Sequence, residues 1–306
     1  MKMSEKGGNK MTENITDNNE LIPFWLKSLG WLSRNIPNFY KIKEKLMWIL
    51  MPIIRGKNYR TVIKYDLGQR IYLHLDDWIP IQLFWMGVYF VERKQTEHFK
   101  KLIKPGDIVI DVGAHIGYYT LIAAARVGKS GHVYAFEPTS NTFKILQKNI
   151  QMNDFTNVSL YNLAVSDKEG YVELYLSDAI NTGATSITVS EFFSGKIEKA
   201  KCITIDSFLK KEDIKKVDLI KIDVEGAEPK VLRGMKELLS KQSPKILIEI
   251  NEERLKSSGY SKDHIYKFLL DKGYKAYDTH GNKIKPIYNY VEGNLILFSK
   301  SDPAED

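Results

Sequence analysis

The residues best suited to chemistry in this sequence are two carboxylates and two glycines that follow short apolar strands. The segment Asp111-Val-Gly113-Ala-His115-Ile-Gly117 comes directly after the run IVID and opens a helical pattern. Glycines in such a turn let the backbone approach a ligand, but the Gly-x-Gly-x-x-Gly spacing that cradles a pyrophosphate is absent. The acid at Asp111 favours a ligand that carries positive charge. Glu137 follows twenty residues after Gly117, at the next strand end, where a carboxylate accepts hydrogen bonds from both ribose hydroxyls.

These features together predict an adenosyl cofactor that carries positive charge. S-adenosylmethionine, with its ammonium and sulfonium groups, has that profile. A glycine-rich turn by itself is equally typical of a tight strand-to-helix connection without a ligand, so the interpretation depends on Asp111 and Glu137 occurring together. A nicotinamide oxidoreductase is a weaker alternative, because the third glycine of its fingerprint is missing.

A second group of carboxylates follows the run DLIKID, where Asp223 ends the strand. Methyl transfer to an oxygen requires that the acceptor lose its proton, and a positioned carboxylate serves as general base. Asp223 is the first candidate and Glu225 the second, while binding the methionine ammonium or holding the loop is the alternative role of Asp223. Glu228, near a helix N-terminus, is more typical of a cap. With Glu249 these acids also resemble a magnesium donor set, but carboxylates at a sheet end are common without metal and we expect none.

The elements that must position these residues are short strands alternating with helical patterns, which indicates a mostly parallel α/β sheet with helices on both faces. The predicted strands are 108–111, 132–136, 158–165, 218–223, 245–250 and 294–298. The last of these can close the sheet at its far end, and its neighbour can be antiparallel. The predicted helices follow Gly117 and span 139–152, 227–240 and 261–272. A hairpin over 59–75 precedes them, and an insertion at 166–210 contains two strands and a polar loop, 181–186, suited to a lid or an acceptor-recognition loop.

Four ordered blocks carry a resemblance to a known family: DVGAHIGYYT from Asp111, FEP at 136–138, AVSD at 164–167 and KIDVEGAE at 221–228. Between about residues 104 and 298 the chain resembles the FkbM family of S-adenosylmethionine-dependent methyltransferases. The resemblance implies a Rossmann-like class I methyltransferase fold. It also implies methylation of an oxygen, often a sugar hydroxyl, or a hydroxyl or carboxylate of a natural product.

Three further site residues depend on this resemblance. Ala164 and Asp167 fall at the turn where the adenine edge is expected, since a carboxylate accepts from the exocyclic amine and a backbone N–H donates to the ring. His115 stands where the family often carries Asn, in the methionine pocket. The domain boundaries that follow are a flexible tail at 1–20, a basic, aromatic-rich helical extension at 21–58, a hairpin with a lead-in helix at 59–100, and a methyltransferase domain at 101–300.

The excess of positive over negative charge in this chain comes from its N-terminal part. The formal net charge is +7, and residues 27–60 contain eight Lys or Arg against the single acid Glu44, so the remaining chain is balanced. Trp25, Trp31 and Trp48 lie in or beside this segment. Three interpretations stay open: a helical cap whose lysines are merely solvated, a segment that meets an anionic membrane surface, and an arm that docks RNA.

Composition restricts the class of protein. The 306 residues are 43% hydrophobic and 27% charged, which is typical of a globular protein. The single cysteine, Cys202, excludes an intrachain disulfide and suggests a reducing compartment. No apolar run is long enough for a membrane span, and the polar N-terminus does not read as a secretory signal. We therefore expect a cytoplasmic protein, with peripheral attachment to the inner membrane surface as an extension of the second interpretation above.

The acceptor is a small molecule or a glycan in this prediction. The sequence contains no Pro-Pro dipeptide and no Pro-Cys, which disfavours base-amine and cytosine-C5 methylation respectively. We predict an O-methyltransferase whose acceptor is a sugar hydroxyl of a glycan, glycolipid or related metabolite. An RNA ribose 2′-O-methyltransferase and a natural-product hydroxyl or carboxyl methyltransferase are the alternatives.

Overall fold

A computed structural model describes residues 22–36, 39–178, 182–189, 193–278, 281–284 and 294–301. The predicted flexible tail at 1–20 and Asn181 of the predicted lid lie outside the described residues. None of the helices in the described ranges is both long and apolar enough to span a bilayer.

The main sheet has seven strands in the order β11-β12-β10-β9-β3-β4-β5. Its strands are β3 (Ile108–Val112), β4 (His132–Phe136), β5 (Val158–Tyr161), β9 (Leu219–Ile222), β10 (Lys245–Ile250), β11 (Lys275–Tyr277) and β12 (Asn294–Ser299). The five strands from β10 to β5 are parallel, whereas β12 runs antiparallel to both of its neighbours. The chain moves outward from β3 through β4 to β5 and then returns to β9 on the other side of β3, so the β3–β9 boundary is the switch point where ligands bind in such sheets.

Helices cover both faces of this sheet, as predicted. They are α5 (Tyr118–Val127), α6 (Ser140–Gln151), α7 (Ile205–Lys211), α8 (Glu228–Arg233), α9 (Lys236–Lys241), α10 (Glu252–Ser257) and α11 (Lys262–Leu270). Successive residues of β3 point to opposite faces, so Val109 belongs to the core under α5 and α6, whereas Ile110 belongs to the core under α7–α9 and α11.

The N-terminal part adds α1 (Phe24–Asn35), α2 (Tyr40–Ile54), the hairpin β1 (Arg60–Tyr65) with β2 (Gln69–His74), α3 (Trp78–Met86), a 3-10 turn (Phe90–Glu92) and α4 (Arg93–Leu102). The side chain of Asn149 on α6 joins the hairpin to the loop after β3. Its Oδ1 accepts from the backbone N–H of Tyr72 at 2.6 Å, and its Nδ2 donates to the carbonyl of Ile116 at 2.8 Å. The hairpin therefore supports the loop that carries His115.

Three predicted elements differ from the structure. The strand predicted at 158–165 is divided, because β6 (Ala164–Val165) leaves the main sheet and joins β7 (Gly170–Ser177) and β8 (Phe193–Ile203) in a separate three-stranded sheet. The helix predicted at 227–240 is broken between α8 and α9 at Gly234, where a Cβ atom would lie 2.1 Å from the carbonyl oxygen of Ser166. The last strand, β12, lies inside the sheet, and β11 forms the far edge.

Candidate functional site

A cavity of about 290 Å³ opens at the carboxyl ends of β3, β4 and β9. Six of the residues singled out from the sequence line it: Gly113, His115, Glu137, Ala164, Asp223 and Glu225. Asp111, Gly117 and Asp167 lie outside its lining. The fold thus brings most of the candidate residues to one site, while the chemical role of each stays a prediction.

Glu137 is a buried carboxylate held by main-chain donors. Its Oε2 accepts from the backbone N–H of His115 at 3.0 Å, and its Oε1 accepts from the backbone N–H of Thr139 at 2.8 Å. Burial raises the pKa of Glu137, although His115 and the N–H groups of Thr139 and His115 oppose that rise. Each oxygen retains a lone pair for a further donor, and both are fixed in direction. This arrangement suits a pair of neighbouring ligand hydroxyls.

Gly113 is required by the packing of two loops. Its φ is +80°, and a Cβ atom there would lie 1.8 Å from the carbonyl oxygen of Asp223. The sequence suggested that this glycine lets the backbone approach a ligand, but the close neighbour in the structure is the end of β9. Gly113 therefore sets the distance between the loop after β3 and the loop that carries Asp223 and Glu225.

His115 connects the loop after β3 to two segments that sequence reasoning did not join to it. Its Nε2 lies 2.8 Å from Oγ1 of Thr182 and 3.9 Å from Oδ2 of Asp77. Thr182 in turn donates to Asp77, whose pKa is raised by burial. Thr182 begins a 3-10 turn over the cavity, so this chain of polar contacts fixes the polar loop as a wall of the site. Asp77 carried no sequence signal beyond its place before a helix.

Asp111 lies behind the cavity. It is fully buried and directly opposite Lys221 in the β3–β9 register. Its Oδ2 accepts from Oγ1 of Thr120 at 2.6 Å, and its Oδ1 lies 3.7 Å from the Lys221 ammonium. The positive charge that the sequence led us to expect beside this acid is present, but the chain itself supplies it.

Lys221 is the most consequential residue that sequence reasoning missed. The residue is 1% exposed. Its ammonium nitrogen lies 3.1 Å from Oδ2 of Asp223 and 4.9 Å from the centre of the Tyr119 ring. Burial by itself would lower the pKa of Lys221, but Asp223 and Asp111 outweigh burial and raise it. A lysine inside the apolar strand LIKI was the available signal, since buried lysines are rare unless paired.

Asp223 is the ionised member of a carboxyl cluster. Burial would raise the pKa of Asp223, but the Lys221 ammonium and a hydrogen bond from Glu249 hold it below its ordinary value. Glu249 shows the opposite shift, because burial and the negative charge of Asp223 raise its pKa well above the usual range. These opposite shifts favour a carboxylate at Asp223 and a protonated acid at Glu249.

Glu225 and Glu228 have separate functions in the loop after β9. Burial and the charge of Asp223 raise the pKa of Glu225 to about 8, and Arg254 lies 3.2 Å from its Oε2. Its φ of +53° is unusual for a residue with a side chain. Glu228 accepts from the backbone N–H groups of Val224 and Gly226 at 3.2 and 3.1 Å, so its carboxyl group holds the loop that precedes α8.

Glu92 is a further acid of the cavity wall that the sequence did not reveal. It ends the 3-10 turn before α4 and accepts from the Tyr119 hydroxyl at 2.6 Å. Burial and the charge of Asp223 raise the pKa of Glu92 to about 7. Because Glu92 is more than a hundred residues away from Asp223 in the chain, only the packing of α4 against α5 brings it to the site.

Asp223, Glu225 and Glu249 form the one grouping, within the described residues, whose spacing would suit a metal ion, with ligand oxygens within 4.8 Å of one another. The Lys221 ammonium already neutralises one of these acids, and protonated carboxyls are poor metal ligands. The expectation that the enzyme needs no divalent metal stays a prediction.

The turn after β6 divides the two residues assigned to the adenine edge. Ala164 lines the cavity with Leu163 and Val165. Asp167 instead accepts from Arg233, whose Nε and Nη2 lie 3.1 and 2.9 Å from its Oδ2. Burial would raise the pKa of Asp167, but Arg233 lowers it. The apolar residues of this turn, rather than the Asp167 carboxylate, face the cavity.

Most of the residues that form this site fall within a segment that is similar to known methyltransferases. A family model described as a methyltransferase FkbM domain matches residues 111–276. Methyltransferase 1 of Beauveria bassiana is 27% identical over 145 residues, which cover 42% of this chain and 57% of that protein. The hexuronic acid methyltransferase AglP of Haloferax volcanii is 28% identical over 129 residues, covering 42% of this chain and 50% of that protein.

The 31-O-demethyl-FK506 methyltransferase FkbM of Streptomyces tacrolimicus is 24% identical over 225 residues, covering 65% of this chain and 81% of that protein. The chain spans little more than half the length of the first two relatives. The family match covers more than half of the chain and includes the strand ends that form the cavity. The chain belongs to the FkbM family of S-adenosylmethionine-dependent methyltransferases.

Proposed function

We propose that this protein transfers the methyl group of S-adenosylmethionine to a hydroxyl oxygen of a sugar. The observation that carries the proposal is an ionised Asp223 that lines the same cavity as Glu137, surrounded by carboxyls that stay protonated. An ionised acid can accept the proton of a hydroxyl, and its protonated neighbours can donate hydrogen bonds to an oxygen-rich acceptor.

The residues of the cavity fit S-adenosylmethionine. Glu137 offers two directed carboxylate oxygens to ribose hydroxyls, and Leu163, Ala164 and Val165 offer an apolar wall to the adenine ring. The Asp223 carboxylate, the ionised group of the carboxyl cluster, suits a ligand with positive charge. When bound, S-adenosylmethionine supplies an electrophilic methyl group.

Asp223 is the proposed general base. The Asp223 carboxylate would take the proton of the acceptor hydroxyl as the hydroxyl oxygen replaces sulfur on the methyl carbon, which releases S-adenosylhomocysteine. The neutral aspartic acid would later return that proton to solvent. Lys221, 3.1 Å away, keeps Asp223 ionised before the reaction. Glu225, with its pKa of about 8, is mostly protonated at neutral pH and is better suited to donate a hydrogen bond to the acceptor.

Two considerations favour a sugar over the other acceptors. The relative AglP is named a hexuronic acid methyltransferase, and sugars present the neighbouring hydroxyls that a row of carboxyl groups can bind. None of the described residues that line the cavity is a lysine or arginine that could pair with the phosphates of an RNA acceptor. A natural-product hydroxyl is the second candidate acceptor, because the relative FkbM is named a 31-O-demethyl-FK506 methyltransferase.

The test is methyl transfer from carbon-13-labelled S-adenosylmethionine to a panel of neutral hexosides, hexuronosides and polyhydroxylated natural products. We expect a new O-methyl signal coupled to a ring carbon of a sugar in a proton–carbon correlation spectrum, lost in Asp223→Asn. A label found on nitrogen, carbon or a carboxylate ester would contradict the proposal. Methyl transfer to the natural products alone would favour the second candidate.

Dialysis against a chelator tests the prediction of metal independence. The rate should be unchanged, because Lys221 already balances Asp223. A lost rate that magnesium restores would show that Asp223, Glu225 and Glu249 hold a metal.

A further inference from the structure

The two N-terminal helices carry most of the apolar surface that the described residues expose. Of sixteen exposed large apolar side chains, ten lie between residues 24 and 53. The most exposed are Phe24 at 85%, Ile49 at 67%, Ile42 at 62% and Trp31 at 60%. Scattered apolar side chains are ordinary on a surface, but a contiguous patch of this kind indicates a binding surface.

Helix α2 is apolar on two sides and uses one of them within the protein. Met47, Met51 and Ile54 are buried against the core. Ile42 and Ile49 are seven residues apart, and Ile53 follows four later, so these three exposed side chains share the other face. A helix with a second apolar face requires a second apolar partner.

A groove connects exposed apolar side chains of α1 with exposed apolar side chains at the start of α2. This groove of about 240 Å³ separates the helices, and Leu32 and Ile36 face Phe39, Ile42 and Leu46 across it. We name the exposed apolar residues of α1 and α2, with this groove, the α1–α2 face.

Positive charge borders the α1–α2 face. Lys41 and Lys45 are exposed and lie eight and four residues before Ile49 on α2, so they follow the same row of the helix surface. Residues 27–60 hold eight basic residues against one acid, whereas the rest of the chain is neutral overall. Two exposed lysines of this basic segment therefore lie beside the apolar row of α2.

We propose that the α1–α2 face docks on the surface of an anionic bilayer. Isoleucine and tryptophan side chains enter the region between headgroups and acyl chains, while neighbouring lysines remain at the headgroups and attract acidic lipid. A second copy of the chain is a poorer occupant, because it would bring two strongly basic segments together. RNA would pair with the lysines but leave the isoleucines of α2 exposed to water.

The docking face is in direct contact with the wall of the cavity. Trp48 of α2 packs on Trp78 with ring centres 5.2 Å apart, and Tyr40 stacks on Phe90 at 5.4 Å. Trp78 lines the cavity, and Phe90 begins the turn that places Glu92 there. If the proposed function holds, these contacts identify the acceptor class as a sugar carried on a membrane lipid.

Sedimentation of the full chain with vesicles tests the docking. We expect binding to phosphatidylcholine vesicles that contain phosphatidylglycerol, little binding to phosphatidylcholine alone, and release by salt as the Debye length falls from ~10 Å at 0.1 M to ~3 Å at 1 M. The triple variant Ile42→Asn, Ile49→Asn, Ile53→Asn should weaken binding by about ten-fold or more. Lys41→Gln with Lys45→Gln should weaken it less and reduce the salt dependence.

The matched control replaces exposed apolar residues elsewhere: Leu67→Asn, Ile197→Asn and Leu270→Asn should bind vesicles as the unmodified chain does. Calorimetric binding of S-adenosylhomocysteine verifies that each variant is folded. Sedimentation requires no methyl transfer. The docking proposal can therefore be confirmed while the proposed function is contradicted, and the proposed function can be confirmed while the docking proposal is contradicted.

Three results would overturn the docking proposal. The first is that the unmodified chain binds neutral and acidic vesicles with equal affinity, or binds neither. The second is unchanged vesicle binding by the triple isoleucine variant. The third is a dimer that this variant converts to a monomer, or salt-dependent RNA retardation without vesicle binding, since either would assign the α1–α2 face to another occupant.

Discussion

Two carboxylates at the ends of β4 and β9, the strands on either side of β3, occupy opposite electrostatic surroundings. Glu137, after β4, is held by two backbone N–H groups and faces the cavity at a fixed angle. Asp223, after β9, lies among ionisable side chains, with the Lys221 ammonium at 3.1 Å and Glu249 hydrogen-bonded to it. The same position in the fold therefore carries a static hydrogen-bond acceptor in one case and a group poised to exchange a proton in the other.

This difference assigns separate roles to the two strand ends. A carboxylate fixed by main-chain donors suits recognition of neutral hydroxyls, because it need not change its charge. A carboxylate whose pKa depends on a buried lysine suits proton transfer, because the protein can adjust its charge. The proposed roles are cofactor binding for Glu137 and general-base catalysis for Asp223.

The largest effect should come from removing the proposed base. Asp223→Asn should lower the single-turnover rate by about 100-fold or more while S-adenosylhomocysteine affinity changes within a few-fold. Glu225→Gln is the comparison variant, and it should lose much less, because Glu225 is mostly protonated at neutral pH. Rapid-quench kinetics and calorimetry measure the two quantities. Lost affinity with an intact rate would make Asp223 a binding residue.

Glu137→Ala should show the reverse pattern. Losing a charge-assisted pair of hydrogen bonds costs about 1.5–3 kcal/mol, so affinity for S-adenosylmethionine should fall roughly 10- to 150-fold. The rate at saturating cofactor should change little. If the rate falls and the affinity does not, the separation of roles between the two strand ends is wrong.

Lys221→Met should shift the pH dependence of the reaction. Without the ammonium the pKa of Asp223 rises, so the acid limb of the rate profile should move to higher pH by about one unit, and the rate at a pH below both pKa values should fall about ten-fold. The rate should recover as pH rises, because Asp223 then ionises again. Lys221→Arg keeps the charge and should move the limb less. A uniform loss at every pH would indicate a merely structural lysine.

The smallest effect concerns stability. The folded protein holds Glu92 with a pKa of about 7, well above the ordinary value of 4.5. Between these values the unfolded chain ionises Glu92 while the folded protein keeps it protonated, so stability should fall as pH rises through this window. Calorimetry from pH 5 to 8 should show a Tm lower by a few degrees at the upper end, with a flatter profile in Glu92→Gln. Glu97→Gln, on the exposed side of α4, is the control, and an unaltered profile in Glu92→Gln would contradict the assignment.

Several features of this protein could be read from the sequence by itself. The short β-branched runs IVID, HVYAF and KILIEI, alternating with longer helical patterns, predicted a mostly parallel sheet, and the structure has it. Gly113 and Gly117 marked the turn after β3, and the acids at 137 and 223 marked strand ends. Each of these features is encoded locally, because a stretch of fewer than about twenty residues contains both the strand and the residues that signal its turn.

Other features depended on contacts between distant segments. The β3–β9 register puts Lys221 opposite Asp111, which removes Asp111 from the cavity and makes Asp223 an ionised acid. Glu92 and Asp77 reach the site from elements outside the strand–helix alternation. The charge count indicated a basic, aromatic-rich N-terminus, but only packing decided which face of α2 is buried. A residue's type sets its ordinary pKa and hydropathy, whereas its neighbours in three dimensions set its charge and exposure, and no local pattern specifies those neighbours.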